Sequence, residues 1–374
     1  MKPVLPFDKL VPEYVQRFDA YIPSRPDDEL KKLYGCSRLY RLNNNENPLG
    51  PPVGAQEVIR RFPPPQAAVY PSGDAYHLRH KLAERFGLHP DQFLVGNGAN
   101  EVIAFVIKAF CEKGDNIITA DKTFAVYEWV SEFSGFETRL VPLKHFAFDD
   151  VGMLDRIDGH TKILFVCNPN NPTGTYWNER QLRSFLDRIA GRQIVVVDEA
   201  YFEFVEQPDC PNGIALLREY PNLVVFRTFS KMYGLAGLRI GYLVGDLEVV
   251  SVIRRTCVVY SVNSVAQAAA LAALDDDQDH ILRTRELARS EKAFLEHELN
   301  ILGLRTVIGE GNFVMVKLPM NDGLAYRKLM THGIMVRSMT GFRFPNWVRI
   351  SVAKHEAMEA FMEALAIILR KAVR

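Results

Sequence analysis

Lys231 stands in RTFSKMYGLAGLR (227–239), a largely apolar stretch in which a lysine has few ways to stay hydrated. Burial disfavours the charged form of an amine, so the segment could hold a neutral, nucleophilic lysine. Arg239, eight residues further on, and the hydroxyls of Thr228 and Ser230 are donor types that grip a phosphate. Taken by itself, the stretch also fits a lysine snorkelling from a loop beside a strand arginine.

Four other segments carry residues of chemical interest. In GNGANE (96–101) two glycines allow a tight turn into a helix, whose first free amides, at Ala99 and Asn100, would face a phosphate or merely close a strand-to-helix turn. ADKTFAVYEW (120–129) offers Phe124 and Tyr127 as flat faces. CNPNNPTG (167–174) sets Asn168, Asn170 and Asn171 on a backbone stiffened by Pro169 and Pro172. DEAYFEF (198–204) opens with Asp198 at the end of an apolar run, where a charged carboxylate needs a partner.

Each segment follows a short apolar run: QFLV (92–95), NIIT (116–119), KILFV (162–166), QIVVV (193–197) and NLVVF (222–226). These read as buried strands. Between them, ANEVIAFVIKAFCEK and NERQLRSFLDRIAG repeat apolar residues at helical spacing, Val102, Ile103, Val106 and Phe110 in the first, Leu182, Phe185, Leu186 and Ile189 in the second. Alternating strands and helices make an open α/β sheet, and such sheets bind ligands beyond the carboxyl ends of their strands. The five loops are therefore expected to meet at one edge. A phosphate cradle, an aromatic face, amide donors, a buried carboxylate and a nucleophilic lysine together suit one cofactor, pyridoxal 5'-phosphate.

From about Gln267 the pattern shifts to long helices (AQAAALAAL, HILRTRELARSEKAFLEHELNIL), short strands (NFVMVKL, GIMVRS, WVRISVA) and a closing helix. This predicts a smaller α+β domain over 267–374, after a large domain over 48–266. Residues 1–47 are expected to form an N-terminal arm and part of the small domain.

The 374 residues balance 45 basic against 45 acidic side chains, which gives no overall field to draw nucleic acid or an anionic membrane. Small molecules are the expected partners. No apolar run approaches the roughly 20 residues that span a bilayer. The five scattered cysteines form no CxxC or metal-ligand pattern, so no metal is expected and a reducing cytoplasm fits best.

With these loops, the chain resembles the fold-type I pyridoxal-phosphate enzymes, and within them the histidinol-phosphate aminotransferase family, from LNNNENPLGPP (42–52) to NWVRISVA (346–353). The resemblance implies a three-layer αβα large domain with a mostly parallel sheet, as in aspartate aminotransferase, plus the smaller α+β domain. It implies Lys231 as the Schiff-base lysine, Asp198 as partner of the pyridine nitrogen, and Asn171 and Tyr201 on the phenolic oxygen. Phe124 would stack on the ring, while Ala99, Asn100, Thr228, Ser230 and Arg239 would hold the phosphate. Arg349 would grip the substrate's acid group, with Arg337 as a second anion contact and Asn47 also at the substrate. A homodimer is implied, in which Tyr70 reaches the neighbour's cofactor and Tyr21, from the arm, covers the substrate.

The activity implied is transfer of an amino group between an amino acid or amino-alcohol phosphate and a 2-oxo acid such as 2-oxoglutarate. Departures from the family pattern keep rivals open. GANE replaces GSDE, VVYSVNS (258–264) replaces PPYNVNS, Arg343 takes a usual glycine, Lys122 a common proline and Lys354 a frequent threonine. Val258, Val259, Ser261 and Arg343 are expected where substrate is read. A threonine-phosphate decarboxylase-like enzyme, or a transaminase, oxidase or cyclase for a specialised amino acid, stays possible on the same scaffold. A regulatory pyridoxal-phosphate domain is the remote alternative, since no basic helix-turn-helix segment precedes residue 42.

Overall fold

The structure is a computed structural model that describes residues 6–18, 25–275 and 277–370. The apolar runs form strands and build two sheets. The strands are β1 (Tyr40–Leu42), β2 (Phe93–Gly96), β3 (Asn116–Ala120), β4 (Glu137–Val141), β5 (Thr161–Cys167), β6 (Ile194–Asp198), β7 (Leu223–Thr228), β8 (Gly241–Gly245), β9 (Thr306–Ile308), β10 (Phe313–Lys317), β11 (Ile334–Ser338) and β12 (Trp347–Ser351).

The larger sheet has seven strands in the order β2-β8-β7-β6-β5-β3-β4. Only β8 runs antiparallel to its neighbours, so all five strands expected from the sequence end at the same edge. β3, β6 and β7 are buried almost throughout, as continuous apolar runs flanked by helices require. Helices Ala99–Phe110 and Glu179–Ile189 lay their predicted apolar residues into this core. Asn178 and Gln181 start the second helix with a reciprocal capping box.

The smaller sheet has the order β1-β11-β12-β10-β9. Its separate core is closed by the helices Gln278–Ile301, Asp322–Met330 and His355–Arg370. β1 comes from the N-terminal segment and pairs in parallel with β11, Tyr40 opposite Ile334. Helix Ser264–Ala273 buries Ala266, Ala269, Ala270 and Ala273 in the larger core, so a boundary at 266/267 would fall inside it. Close approach between the two units is visible at Gly174, which at φ 73° abuts Gly309 and whose carbonyl accepts from the Glu310 amide at 2.8 Å.

Among the described residues no helix is long and apolar enough to cross a membrane, and no cluster of side chains could hold a metal ion.

Candidate active site

The carboxyl ends of β2, β5, β6 and β7 open into a cavity of about 1020 Å³ that also takes in β11, β12 and the loop after β1. It brings together Ala99, Asn100, Phe124, Asn171, Asp198, Tyr201, Thr228, Ser230, Lys231, Arg239, Arg337 and Arg349.

Lys231 stands three residues beyond the end of β7, and its Nζ donates to the backbone carbonyl of Asn44 at 2.7 Å. Burial, then the positive charge of Arg349, lowers its pKa from the usual 10.5 to about 7. Asp198 ends β6, and burial raises its pKa to about 6 although two donors favour the charged form. These are the Tyr127 hydroxyl at 2.5 Å and the Ala200 amide at 3.0 Å.

At one end of the cavity the Arg239 guanidinium lies against Gly98, the residue before helix Ala99–Phe110. Gly98 has φ 80°, and a Cβ there would run into the guanidinium. No side chain caps this helix. Arg239 donates to the Ser230 hydroxyl and the Ala236 carbonyl, and no carboxylate pairs with it among the described residues. A cation, a helix N-terminus and the hydroxyls of Thr228 and Ser230 thus converge with no counter-charge, which is the donor set of an anion cradle.

At the other end, Arg349 is buried on β12, and no carboxylate pairs with it among the described residues. Its Nη1 and Nη2 donate to Asn171 Oδ1 and the Asn43 carbonyl, and its Nε has no partner among the described residues. Burial lowers its pKa to about 10. Arg337 is exposed at the same end, its guanidinium 5.8 Å from the centre of the Phe342 ring. The Tyr201 hydroxyl receives the Asn45 amide at 2.9 Å, and burial raises its pKa to about 12.

Several other candidate residues are not part of the cavity lining. Asn47 does not line the cavity: it is buried behind it, donating to the Met232 carbonyl at 2.7 Å and accepting from the Leu49 amide. Tyr127 is a fully buried ring stacked on Phe165 whose hydroxyl serves Asp198, so of the two flat faces only Phe124 reaches the cavity. Asn168 and Asn170 brace their own loop through Trp177, Thr173 and Thr123, leaving Asn171 alone at the site. Val258 and Val259 are exposed away from the cavity, and Ser261 donates to Glu101 at 2.8 Å. Arg343 pairs with Glu128 outside the cavity lining. Tyr70 is 80% exposed and stacks on Tyr260. Tyr21 lies outside the described residues.

The residues that sequence reasoning missed are Asn43, Asn44 and Asn45. They act mainly through backbone carbonyls, to which Lys231 and Arg349 donate, and the left-handed φ of 56° at Asn45 turns the chain after β1. A run of asparagines is the one visible signal, since asparagine tolerates that conformation.

Residues 37–365 match the family described as aminotransferase class I and II. A histidinol-phosphate aminotransferase 2 from Pseudomonas aeruginosa is 39% identical over 95% of this chain and 96% of its own. A histidinol-phosphate aminotransferase from Symbiobacterium thermophilum is 40% identical over 94% and 96%. The structure of histidinol-phosphate aminotransferase from Sinorhizobium meliloti in complex with pyridoxal-5'-phosphate shares the fold, with a TM-score of 0.86 and 24% identity over 100% of this chain and 99% of that one. With the sequence relatives matched almost end to end, the chain belongs to the class I and II aminotransferase family, among its histidinol-phosphate aminotransferases.

Proposed function

We propose that the protein is a pyridoxal 5'-phosphate-dependent aminotransferase that exchanges an amino group between an amino acid or amino-alcohol phosphate and a 2-oxo acid such as 2-oxoglutarate, with histidinol phosphate as the reference substrate. One observation carries the reading: Lys231 lies in a cavity between two arginines that have no counter-ion among the described residues, Arg239 in a helix-end cradle and Arg349 buried on β12. Such a cavity suits a phosphate at one end and a substrate acid group at the other, with an amine poised between them.

The residues present fit the cofactor. Arg239, Ser230, Thr228 and the amides of Ala99 and Asn100 would hold its phosphate. Phe124 would cover a ring face, Asn171 and Tyr201 would donate to the phenolic oxygen, and Asp198 would hold a proton on the ring nitrogen. When bound, the group supplies a carbonyl that condenses with amines and a ring that withdraws electrons from the substrate's Cα. Lys231 would bind the cofactor covalently and, once displaced by substrate, carry the proton from Cα. A lysine with pKa near 7 is matched to that task at neutral pH. Arg349 would orient the acid group, with Arg337 as a further anion contact.

The proposal includes a homodimer and a cytoplasmic setting. Tyr70, too far out to serve its own cavity, sits with Val69, Val258, Val259 and Tyr260 in an exposed apolar patch, which supports an interface there. Tyr70 and the arm residue Tyr21 would then complete the neighbour's site. The five unpaired cysteines agree with a reducing compartment.

The test is single-turnover chemistry. Purified protein loaded with pyridoxal phosphate and given glutamate should yield one 2-oxoglutarate per subunit, and histidinol phosphate should do better than alanine as donor. Release of CO2 or consumption of O2 in place of the oxo acid would overturn the assignment.

A further inference from the structure

Arg343, which takes the place of a usual glycine, sits on the short turn between β11 and β12, the two strands that carry Arg337 and Arg349. It caps the turn Thr340–Phe342 in a left-handed conformation, φ 60°. Its guanidinium reaches across to the larger unit and engages Glu128 through both nitrogens, Nη1 at 2.9 Å and Nη2 at 2.6 Å, and Nη1 also donates to the Asp121 carbonyl at 3.0 Å. Glu128 lies on helix Val126–Phe133, which starts two residues after Phe124. A second charged departure, Lys122, joins the same seam: it pairs with Asp121, and its Nζ lies 5.7 Å from the centre of the Phe344 ring. Two residues that break the family pattern, far apart in sequence, therefore meet at one junction between the anion-gripping strands and the ring-facing loop.

The junction borders the part of the cavity left for substrate. With an acid group on Arg349 and an amine at Lys231, the third substituent of Cα has the remaining lining to occupy. That lining includes Trp129, Val130 and Phe133 from the helix bearing Glu128, and Phe342 from the turn bearing Arg343. Trp129 and Phe133 are 44% and 48% exposed, so the wall is apolar and partly open, with the Phe18 ring edge-on against Phe133. A half-exposed ion pair adds little to overall stability, so position is what it contributes.

We propose that Arg343 and Glu128 form a latch that fixes Phe342 relative to Trp129 and Phe133, so that Arg343 is a positioning residue for recognition of substrates whose side chain extends beyond Cγ. The proposal rests on the aminotransferase reading and deepens it.

The test uses the cofactor-loaded enzyme and two unreactive acids, propanoate and 3-phenylpropanoate, with binding followed through the visible absorbance of the bound cofactor. The wild type should bind the phenyl acid about tenfold or more tightly than propanoate. Arg343→Gly, which suits the left-handed conformation and so should fold normally, and Glu128→Gln should each remove most of that preference while leaving propanoate affinity unchanged. The charge-swapped pair Arg343→Glu with Glu128→Arg should restore at least part of it. A wild type without preference, a glycine variant that keeps it, or no gain from the swap over the Arg343→Glu single variant overturns the latch. If neither acid perturbs a bound cofactor, or none binds, the aminotransferase reading fails instead.

Discussion

Lys231 Nζ donates to the carbonyl of Asn44 at 2.7 Å, so the lysine at the end of β7 is held by the segment that leads out of β1 in the smaller sheet. A backbone carbonyl fixes the amine's direction without adding a charge, and leaves burial and Arg349 to depress its pKa to about 7.

A lowered pKa means the amine is protonated and unreactive below about pH 7 and neutral above it. The rate at which cofactor-free protein captures pyridoxal phosphate should therefore rise with pH through that midpoint, read by stopped-flow absorbance. Arg349→Gln removes a positive neighbour and should move the midpoint upward. Lys231→Ala should abolish turnover, with loss of at least about 10² to 10⁴ from the proton transfer alone.

Tyr127 holds Asp198 from beneath, and its hydroxyl favours the charged carboxylate against burial. Tyr127→Phe should thus raise the Asp198 pKa above about 6 and shift the acid limb of the kcat/KM profile toward higher pH. At neutral pH turnover should fall about tenfold, the size of one lost hydrogen bond to a charged group.

Gly98 gives Arg239 room. Gly98→Ala places a methyl group against the guanidinium at a backbone φ of 80°, so retention of pyridoxal phosphate should weaken about tenfold or more, measured by equilibrium dialysis. Arg239→Gln should weaken it as well, and the double variant should fall short of the sum because both changes act on one contact.

Away from the cavity, Glu199 is fully buried and accepts from Arg227 at 2.7 Å and from the Gly213 amide. Glu199→Gln leaves the Arg227 cation without its counter-charge, and urea unfolding should show a loss of about 3–5 kcal/mol.

The central strands of the larger sheet were legible because they are buried on both faces and so read as unbroken apolar runs. β8, GYLVG, escaped notice since glycines at both ends leave only three apolar residues between them, and β4, ETRLV, carries the polar residues of an edge strand. At the site, side chains with a distinctive charge or position, such as Lys231, Asp198 and Arg349, could be named from sequence and are brought to one cavity. The carbonyls of Asn43 and Asn44 could not, because a backbone acceptor leaves no signature in residue type. Phe124 and Tyr127, three residues apart, looked equivalent, and only the start of the helix at Val126 decides that one ring faces the cavity and the other the core. Asn47 lies off the cavity lining, its amide being spent on the Met232 carbonyl.

The turn after β1 also bears on how the protein is made. Asn43 and Asn44 lie near the start of the chain, Asp198 and Lys231 in its middle and Arg349 near its end, yet they touch through hydrogen bonds or share one cavity. A nascent chain still emerging from the ribosome can pair β5 with β6 and β7, but its lysine has no finished chamber until β11 has captured β1 and β12 has delivered Arg349. Long-range closure of this kind is slow to form. The contacts of Asn44 with Lys231 and of Asn43 with Arg349 thus form only once the first and last thirds of the polypeptide have docked.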